Sequence, residues 1–289
     1  MAFDPLLYIA FALGLVAGRL VPSRSPWVPR ATLLTVVVLV GLLGASLDSV
    51  PWFSLLAAVP VAIAFALLIL GLTAGIYLGL VRLRPASTSS TPAPTPEQGF
   101  PFSLVLLASL LVGLGIGRVV PIPADSAIPW VLYALLALVG YGIPLRLSGL
   151  RGVWLPLSAA TAGAVVAAVI FAAADHLAIG AALATSLAFG FYSLAGPLVG
   201  ARLGAVLGLL AFLTNFLRED LTMLLSPYLG PRLRGAGLTA LGGATSMDTT
   251  LYFVTRYGDT DAGSLAIASG LILTIAATLL LPAVLSAPL

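Results

Sequence analysis

Nine residues near the end of the chain read GGATSMDTT (242–250) and combine small, hydroxylated and acidic side chains in an otherwise apolar sequence. A charged side chain at membrane depth is costly, so it marks a functional site by default. We interpret Asp248 as part of a substrate or ion site, because a carboxylate with nearby hydroxyls can hold an ammonium group, a proton or Na⁺. The neighbouring candidates in this segment are Thr245, Ser246, Thr249 and Thr250.

A second polar group lies in the stretch AFLTNFLREDLTMLLSP. Asn215, Glu219 and Thr222 follow i, i+4, i+7 spacing, which places them on one face of a helix. Arg218 and Asp220 lie about 100° to either side of that face. A carboxylate, an amide and a hydroxyl on one membrane-embedded face suit a path for a cation or a proton. The alternative is a structural cluster of salt bridges between helices.

Glycine and proline interrupt a third segment, FGFYSLAGPLVGARLG. Pro197 removes an intrahelical hydrogen bond and favours the first turn of a new helix. Two interrupted segments in one chain indicate a substrate site, because their ends expose amides and carbonyls to charged groups. Tyr192, Ser193 and Gly196 are therefore further candidates. The alternative is that the small residues only allow helices to pack closely.

One more acidic residue, Asp48, lies in VGLLGASLDSVPW, just before Pro51. It is either a functional acid or a loop residue that caps the next helix, for which Asp-Ser-Val-Pro is suitable chemistry. The absence of cysteine excludes thiolate chemistry, and the single histidine, His176, cannot by itself make a zinc site. We therefore predict no resident metal and no cofactor other than a coupling ion.

The elements that must position these residues are membrane-spanning helices. The 289-residue chain has a mean hydropathy of +1.15, only 8% charged residues, and long apolar runs along its whole length. A membrane core of ~30 Å needs about 20 apolar residues per helix, and long runs without alternation indicate helices rather than strands. We predict an all-α polytopic membrane protein. Its arginines lie singly at helix ends, so we expect no nucleic-acid partner.

The apolar runs predict eight full spans, and up to ten transmembrane segments if the broken segments are counted. The predicted helices cover residues 5–21, 31–47, 53–81, 102–120, 127–145, 153–174, 178–200, 203–227 and 264–285, and a less regular apolar segment covers 236–256. Residues 82–101 are rich in Pro, Ser and Thr and predict a flexible aqueous linker. The linker separates an N-terminal block of three helices (1–81) from a C-terminal transport core (102–289).

Arginines also predict the orientation of the chain, because these single arginines are most numerous after the first, third and fifth predicted helices. By the positive-inside rule the N-terminus lies outside and the linker at 82–101 lies in the cytoplasm. The charges around Arg232 and Arg234 leave the orientation of the later segments open.

Two stretches of the chain resemble each other. LGLVAGRLVP (13–22) matches VGLGIGRVVP (112–121), and the same offset of 99 carries LVG at 39–41 onto LVG at 138–140. Three helices separate the copies, so the copies would cross the membrane in opposite directions. Such inverted repeats are typical of secondary transporters. Chance similarity between glycine-rich helices is the alternative.

FGFYSLAGPLVG, LLAFLTNFLRED and GGATSMDTTL, in this order and spacing, resemble the lysine exporter LysO family of bacteria and archaea. The resemblance implies an inner-membrane secondary transporter, not an enzyme, that exports L-lysine and thialysine, most simply against proton entry. It also implies discontinuous helices that cross near the middle of the membrane. The family's acidic residues correspond to Asp48, Glu219 and Asp248. The chain departs from the family at Tyr252, where proline is common, and at Asp220, where an apolar residue is common.

Lysine carries a carboxylate and two ammonium groups, so its site needs hydrogen-bond donors for the first and at least one carboxylate for the others. Competition between a proton and lysine for one carboxylate would produce antiport without a separate coupling site. The alternatives are an exporter or sodium-coupled carrier of another small metabolite and, remotely, an intramembrane enzyme. The chain lacks the motifs of such enzymes. The expected partners are the substrate, the bilayer and, as an option, a second copy of the chain.

Overall fold

The computed structural model describes residues 5–20, 27–83, 102–142, 152–175, 177–259 and 262–287. They form α-helices and one 3₁₀ helix (Gly243–Met247), with no strand among these residues. The α-helices are α1 (Pro5–Leu20), α2 (Trp27–Ala45), α3 (Trp52–Leu83), α4 (Phe102–Val119), α5 (Ala124–Gly142), α6 (Trp154–Asp175), α7 (Ile179–Ser186), α8 (Tyr192–Leu203), α9 (Ala205–Gly242), α10 (Leu251–Tyr257) and α11 (Ala262–Ser286).

Length and composition confirm the prediction of an all-α polytopic membrane protein. Three helices are long and apolar enough to cross a membrane, namely Trp52–Arg82, Trp154–Ala174 and Ala262–Ser286. Shorter apolar helices cover Pro5–Leu20, Arg30–Ala45, Leu104–Val119 and Ser126–Tyr141. The predicted linker lies outside the described residues except for its first two positions, which belong to α3.

Helices α1 and α5 pack so closely that their backbones touch. A methyl group at Gly18 would come within 2.5 Å of the carbonyl oxygen of Tyr141, and one at Gly14 would clash with the backbone of Ala137. The contacts advance by four residues on both helices, so the two helices run parallel. Glycine is required at these positions because only a hydrogen atom fits between the helices.

The same packing recurs between α4 and α2, where Gly113 lies against Gly41 and Gly117 against Ala45. The glycines of α4 follow those of α1 by the predicted offset of 99. Their partners in α5, however, follow the partners in α2 by 96 positions, since 137 − 41 = 96 and 141 − 45 = 96. The constant offset that matched 39–41 to 138–140 is therefore wrong by three residues, because the second copy has a shorter connection between its helices.

The first helix of each copy thus packs against the second helix of the other copy, which agrees with an inverted arrangement of the two copies. Consecutive spanning helices joined by the short connection at 120–123 cross in opposite directions. Since α1 runs parallel to α5, it runs opposite to α4, its counterpart in the repeat.

Two apolar clusters mark opposite ends of the helix bundle. One cluster joins the last turns of α3, the first turns of α6 and the 229–233 turn of α9 through Leu80, Val81, Leu155, Ala159, Leu229 and Leu233. We call this the linker end, because α3 continues from it into the linker. The other cluster joins the second half of α6 to α3 and the start of α7 through Phe65, Ala167, Phe171, Leu177 and Ala182. We call it the distal end.

Residues 179–203 form a helical hairpin, hairpin A, that enters the bundle from the distal end and returns to it. Its limbs are α7 and α8. Helix α8 runs antiparallel to α9, because Gly200 packs against Gly208 whereas Tyr192 packs against Phe216. Since 229–233 lies at the linker end, α9 begins, and α8 therefore ends, at the distal end. The predicted break in 178–200 is confirmed, and it reverses the chain.

Residues 235–257 form hairpin B, which enters from the linker end. Its limbs are 235–242 and α10, and its tip is 243–250. The two limbs meet at the linker end, because a methyl group at Gly258 would come within 2.7 Å of the Cα of Gly235. The apolar segment predicted at 236–256 therefore re-enters instead of spanning. The eight predicted full spans correspond to α1–α6, the first part of α9, and α11.

Helix α9 is bent at Arg234, whose φ of 52° and ψ of −168° are not helical. The predicted end of this helix at 227 is wrong, because Pro227 and Pro231 each remove one hydrogen bond without ending the helix, as membrane helices tolerate. Glu219 is consequently equidistant in sequence from residues 205 and 233. It lies deeper than predicted.

Candidate functional site

The tips of the two hairpins meet in the middle of the bundle. The amide of Ala244 donates a hydrogen bond of 2.8 Å to the carbonyl oxygen of Phe189. Phe189, Gly190 and Gly243 adopt positive φ angles of 53°, 94° and 64°. Such angles suit glycine and strain phenylalanine, so the contact between the tips holds Phe189 in an unfavourable conformation. The two broken segments therefore contact each other at their tips.

Asn215 holds the tip of hairpin A. Its Oδ1 accepts the amide hydrogen of Gly190 at 2.9 Å, and its Nδ2 donates to the carbonyl oxygens of Thr185 and Ala211 at 2.8 and 2.9 Å. The side chain is fully buried. Because both amide hydrogens are used on backbone groups, Asn215 organises the break and has only one lone pair left for a ligand.

Glu219 lies one turn further along α9 and is 1% exposed. Its Oε1 accepts a long hydrogen bond of 3.5 Å from the hydroxyl of Tyr192, and its Oε2 is buried with no hydrogen-bond partner. Tyr192 packs edge to face on Phe212 and Phe216. The carboxylate therefore has an aromatic wall on one side and an unused oxygen.

Asp248 follows the 3₁₀ helix of hairpin B and is exposed. Its Oδ1 accepts hydrogen bonds from the amide and the hydroxyl of Thr249, at 2.7 and 3.3 Å. Both Asp248 and Thr249 are close enough to Glu219 to interact with it electrostatically. The structure thus brings together two of the three predicted acidic residues, one buried and one accessible.

Arg218 is fully buried beside the tip contact. Its Nε donates to the carbonyl oxygen of Leu241 at 3.0 Å and its Nη2 to that of Ala240 at 3.2 Å, whereas Nη1 has no partner. These carbonyls end the first limb of hairpin B, where a helix carries partial negative charge. Arg218 itself therefore bonds to carbonyl oxygens, and these two partners are not carboxylates.

The hydroxyls of hairpin B shape its tip. Thr245 donates to the carbonyl oxygen of Gly242 at 2.9 Å and lies 3.5 Å from the hydroxyl of Thr250. The hydroxyl of Ser246 lies 2.7 Å from the carbonyl oxygen of Gly243 and 3.0 Å from that of Ala266 in α11. These three predicted site residues are buried and engaged within the protein.

Two candidates in α8 differ in their surroundings. A methyl group at Gly196 would come within 2.7 Å of the Cβ of Phe212 and 2.9 Å of a methyl carbon of Leu43, so Gly196 allows close packing. Ser193 is buried in the first turn of α8, near Tyr192.

On α9, Thr222 donates to the carbonyl oxygen of Arg218 at 2.7 Å and continues the polar face of that helix.

Asp48 is the one predicted acidic residue that the structure does not bring to the hairpin tips. It is exposed just after α2, and its Oδ1 accepts the amide hydrogen of Ser49 at 2.5 Å. Among the described residues, no group of three or more His, Cys, Asp or Glu side chains could hold a metal ion. His176 lies outside the described residues.

Sequence reasoning missed Phe189 and Arg234, the two non-glycine residues with positive φ in the described part of the chain. It also missed the aromatic wall, although Phe212 and Phe216 follow i, i+4 spacing beside the polar face of α9. That spacing was the available signal. No sequence signal marks Phe189, whose conformation follows from the contact with hairpin B.

The fold and the site define a class: polytopic α-helical membrane proteins in which interrupted segments meet at a buried polar centre, the organisation of secondary transporters. The profile of the family "Lysine exporter LysO" matches residues 107–285, which is more than half of the chain, and the chain belongs to this family.

The lysine exporter LysO of Escherichia coli (strain K12) is 36% identical to this chain over 105 residues. The matched part covers 36% of this chain and 35% of that protein, so it spans about a third of the relative. No solved structure matches the chain.

Proposed function

We propose that this protein is a secondary active transporter that exports L-lysine, and its analogue thialysine, from the cytoplasm of a prokaryote. The observation that carries the proposal is the proximity of buried Glu219 to accessible Asp248 where two hairpins meet. Lysine has one net positive charge, and carboxylates at membrane depth suit it. Membership of the LysO family and the name of the E. coli relative support this substrate.

Proton antiport follows from competition for one carboxylate. Glu219 has a buried oxygen with no partner, so it can take either a proton or a substrate ammonium group, but not both. Binding of lysine on one side would release the proton, and protonation on the other side would release lysine.

The hydroxyls of Thr245, Thr249 and Thr250 support a second candidate, coupling to Na⁺ near Asp248, because cations bind such oxygens where helices are broken.

The orientation that we propose places the linker end of the bundle in the cytoplasm and the N-terminus outside. Three arginines support it, because Arg232 and Arg234 lie at the bend of α9 where hairpin B begins, and Arg256 lies in the last turn of α10 where hairpin B ends. The positive-inside rule then applies to the linker and to hairpin B alike. A multi-pass protein of the cytoplasmic membrane is the corresponding location, with the bilayer as its surroundings and a homodimer as an option.

Proteoliposomes test the proposal directly. Efflux of labelled lysine is measured with an inward proton gradient, an inward Na⁺ gradient or neither, and labelled arginine serves as a second substrate. We expect lysine efflux to accelerate with the proton gradient. An absence of lysine efflux under all conditions would refute the proposed substrate, and acceleration only by Na⁺ would replace the coupling ion.

Glu219→Gln tests the shared carboxylate. We expect this variant to remain in the membrane and to lose proton-driven efflux. Asp220→Asn is the matched control, because it neutralises the next residue, which is only half buried and stands where the family commonly has an apolar side chain. Normal proton-driven efflux by the Glu219 variant would contradict the mechanism.

A further inference from the structure

Two neighbouring residues of α9 carry charged groups that the protein leaves unsatisfied. Arg218 Nη1 and Glu219 Oε2 are both buried, and neither has a hydrogen-bond partner among the described residues. A buried donor or acceptor without a partner destabilises the folded protein, and a charged one does so more strongly. Such groups therefore need a partner that the protein itself does not supply.

Both groups lie where the hairpin tips meet. Arg218 bonds the carbonyl oxygens at the end of the first limb of hairpin B, and its Nη2 would lie 2.9 Å from a methyl group at Gly243. Glu219 contacts Tyr192, which begins the second limb of hairpin A. Both side chains are buried.

We infer that Arg218 and Glu219 together recognise the α-amino-acid group of the substrate, with Nη1 of Arg218 receiving the carboxylate and Oε2 of Glu219 receiving the α-ammonium. This inference rests on the proposed export of lysine. One bound amino acid satisfies both orphaned groups at once, whereas a simple diamine or a simple carboxylic acid satisfies only one.

Arginine suits this role for a physical reason. The guanidinium stays protonated, and two of its N–H groups are already fixed by the carbonyls of Ala240 and Leu241. The remaining N–H is therefore held in position before the substrate arrives, and little entropy is lost on binding. Charge-assisted hydrogen bonds of this kind are about twice as strong as neutral ones.

Asp248 then remains for the ammonium group of the side chain, because its carboxylate is exposed beside Glu219. The three charges of the site, one positive and two negative, match the two positive charges and one negative charge of lysine. The site is thus specific for a zwitterion with a second cationic group.

Competition against labelled lysine, with purified full-length protein in proteoliposomes, tests the assignment group by group. The competitors are lysine, 1,5-diaminopentane (no carboxylate), 6-aminohexanoate (no α-ammonium) and norleucine (no side-chain ammonium). We expect 1,5-diaminopentane to compete roughly 10- to 100-fold more weakly than lysine, the factor that corresponds to one charge-assisted hydrogen bond. Equal competition by lysine and 1,5-diaminopentane in the wild-type protein would by itself overturn the inference.

Arg218→Gln supplies the second measurement. We expect lysine to bind this variant roughly 10- to 100-fold more weakly while 1,5-diaminopentane is unaffected, so that the discrimination between them disappears. A proportional loss for both compounds would show a purely structural role and overturn the inference. Arg256→Gln is the control, because Arg256 is an exposed arginine of the same hairpin and should leave both affinities unchanged.

Arg218→Lys keeps a positive charge if the glutamine variant does not reach the membrane. Its single ammonium group cannot bond two carbonyls and a carboxylate in the fork geometry, so we expect discrimination that is reduced but not lost. Unchanged discrimination in this variant would contradict the role of Nη1. If wild-type protein binds no lysine, the proposed function fails; if it binds lysine without reading the carboxylate, only this inference fails.

Discussion

Hairpins A and B meet at their tips, yet the protein stabilises them in different ways. The tip of hairpin A is buried and held by the side-chain amide of Asn215, which bonds the backbone just before the break, at Thr185, and within it, at Gly190. The tip of hairpin B is held by its own hydroxyls and by Arg218, and it exposes the carboxylate of Asp248.

The difference assigns separate tasks to the two hairpins. Hairpin A is a fixed wall, because residues 187–190 of its tip are buried and Asn215 bonds its backbone. Hairpin B carries the accessible charge, and its limbs meet the rest of the chain through glycine contacts at the linker end. Substitutions that release hairpin A should therefore mainly reduce stability. Substitutions at the tip of hairpin B should reduce stability less, and at Asp248 they should reduce transport with little loss of stability.

The largest loss of stability is expected for Asn215→Leu. Leucine leaves the amide of Gly190 and the carbonyl of Thr185 buried without partners, which should cost about 3–5 kcal/mol. The measurement is the thermal unfolding of purified protein in detergent, together with the yield in the membrane. Thr214→Val is the matched control on the same helix, because its buried hydroxyl has no partner and its removal should be nearly neutral. Equal effects of the two substitutions would remove the distinction between the hairpins.

A smaller loss is expected for Gly243→Ala, at the contact between the tips. Alanine is strained at a φ of 64°, and its methyl group would meet Arg218 Nη2 at 2.9 Å and the carbonyl of Phe189. We expect about 2–3 kcal/mol of destabilisation from strain and overlap combined. Gly204→Ala separates the backbone strain from the steric overlap, because its φ is also positive, at 101°, but nothing lies within 4 Å of the added methyl group. A larger effect at Gly204 would show that the tip contact contributes little.

A loss of about 1 kcal/mol is expected for Ser246→Ala, which removes the link between hairpin B and α11. Ser269→Ala is the control, since Ser269 is equally buried in α11 but its hydroxyl has no partner. Unfolding of both variants should show a shift for Ser246 only. The same shift in both would mean that the hydrogen bonds of the tip do not determine its stability.

Residue types alone located both breaks and two of the acids, because glycine, proline and hydroxyl side chains together weaken a helix inside an apolar segment. Glu219 and Asp248 were found in this way. The return of each hairpin was not predictable, since it depends on contacts between residues far apart in sequence, such as Gly235 and Gly258. Helical periodicity placed Asn215 on the right face, but it could not show that its amide is used on the backbone.

The register of the repeat was missed for a related reason. Sequence identity aligned the first helix of each copy correctly, whereas the second helices differ by the length of a connection, which has no periodicity to reveal it. Packing resolves the register because the glycines that allow close contact must lie opposite each other.

The smallest effect on unfolding is expected for Asp248→Asn, which tests most directly whether the two hairpins differ in function. The carboxylate is exposed and bonds only to Thr249, and an asparagine side chain keeps an oxygen that can accept the same hydrogen bonds. Unfolding should therefore change by less than about 0.5 kcal/mol, as for a typical exposed position. Lysine efflux should nevertheless fall to the background rate, because the cationic side chain loses its counter-charge. Efflux that persists in a well-folded Asp248→Asn protein would show that buried Glu219 acts alone and that hairpin B, like hairpin A, serves only as a wall.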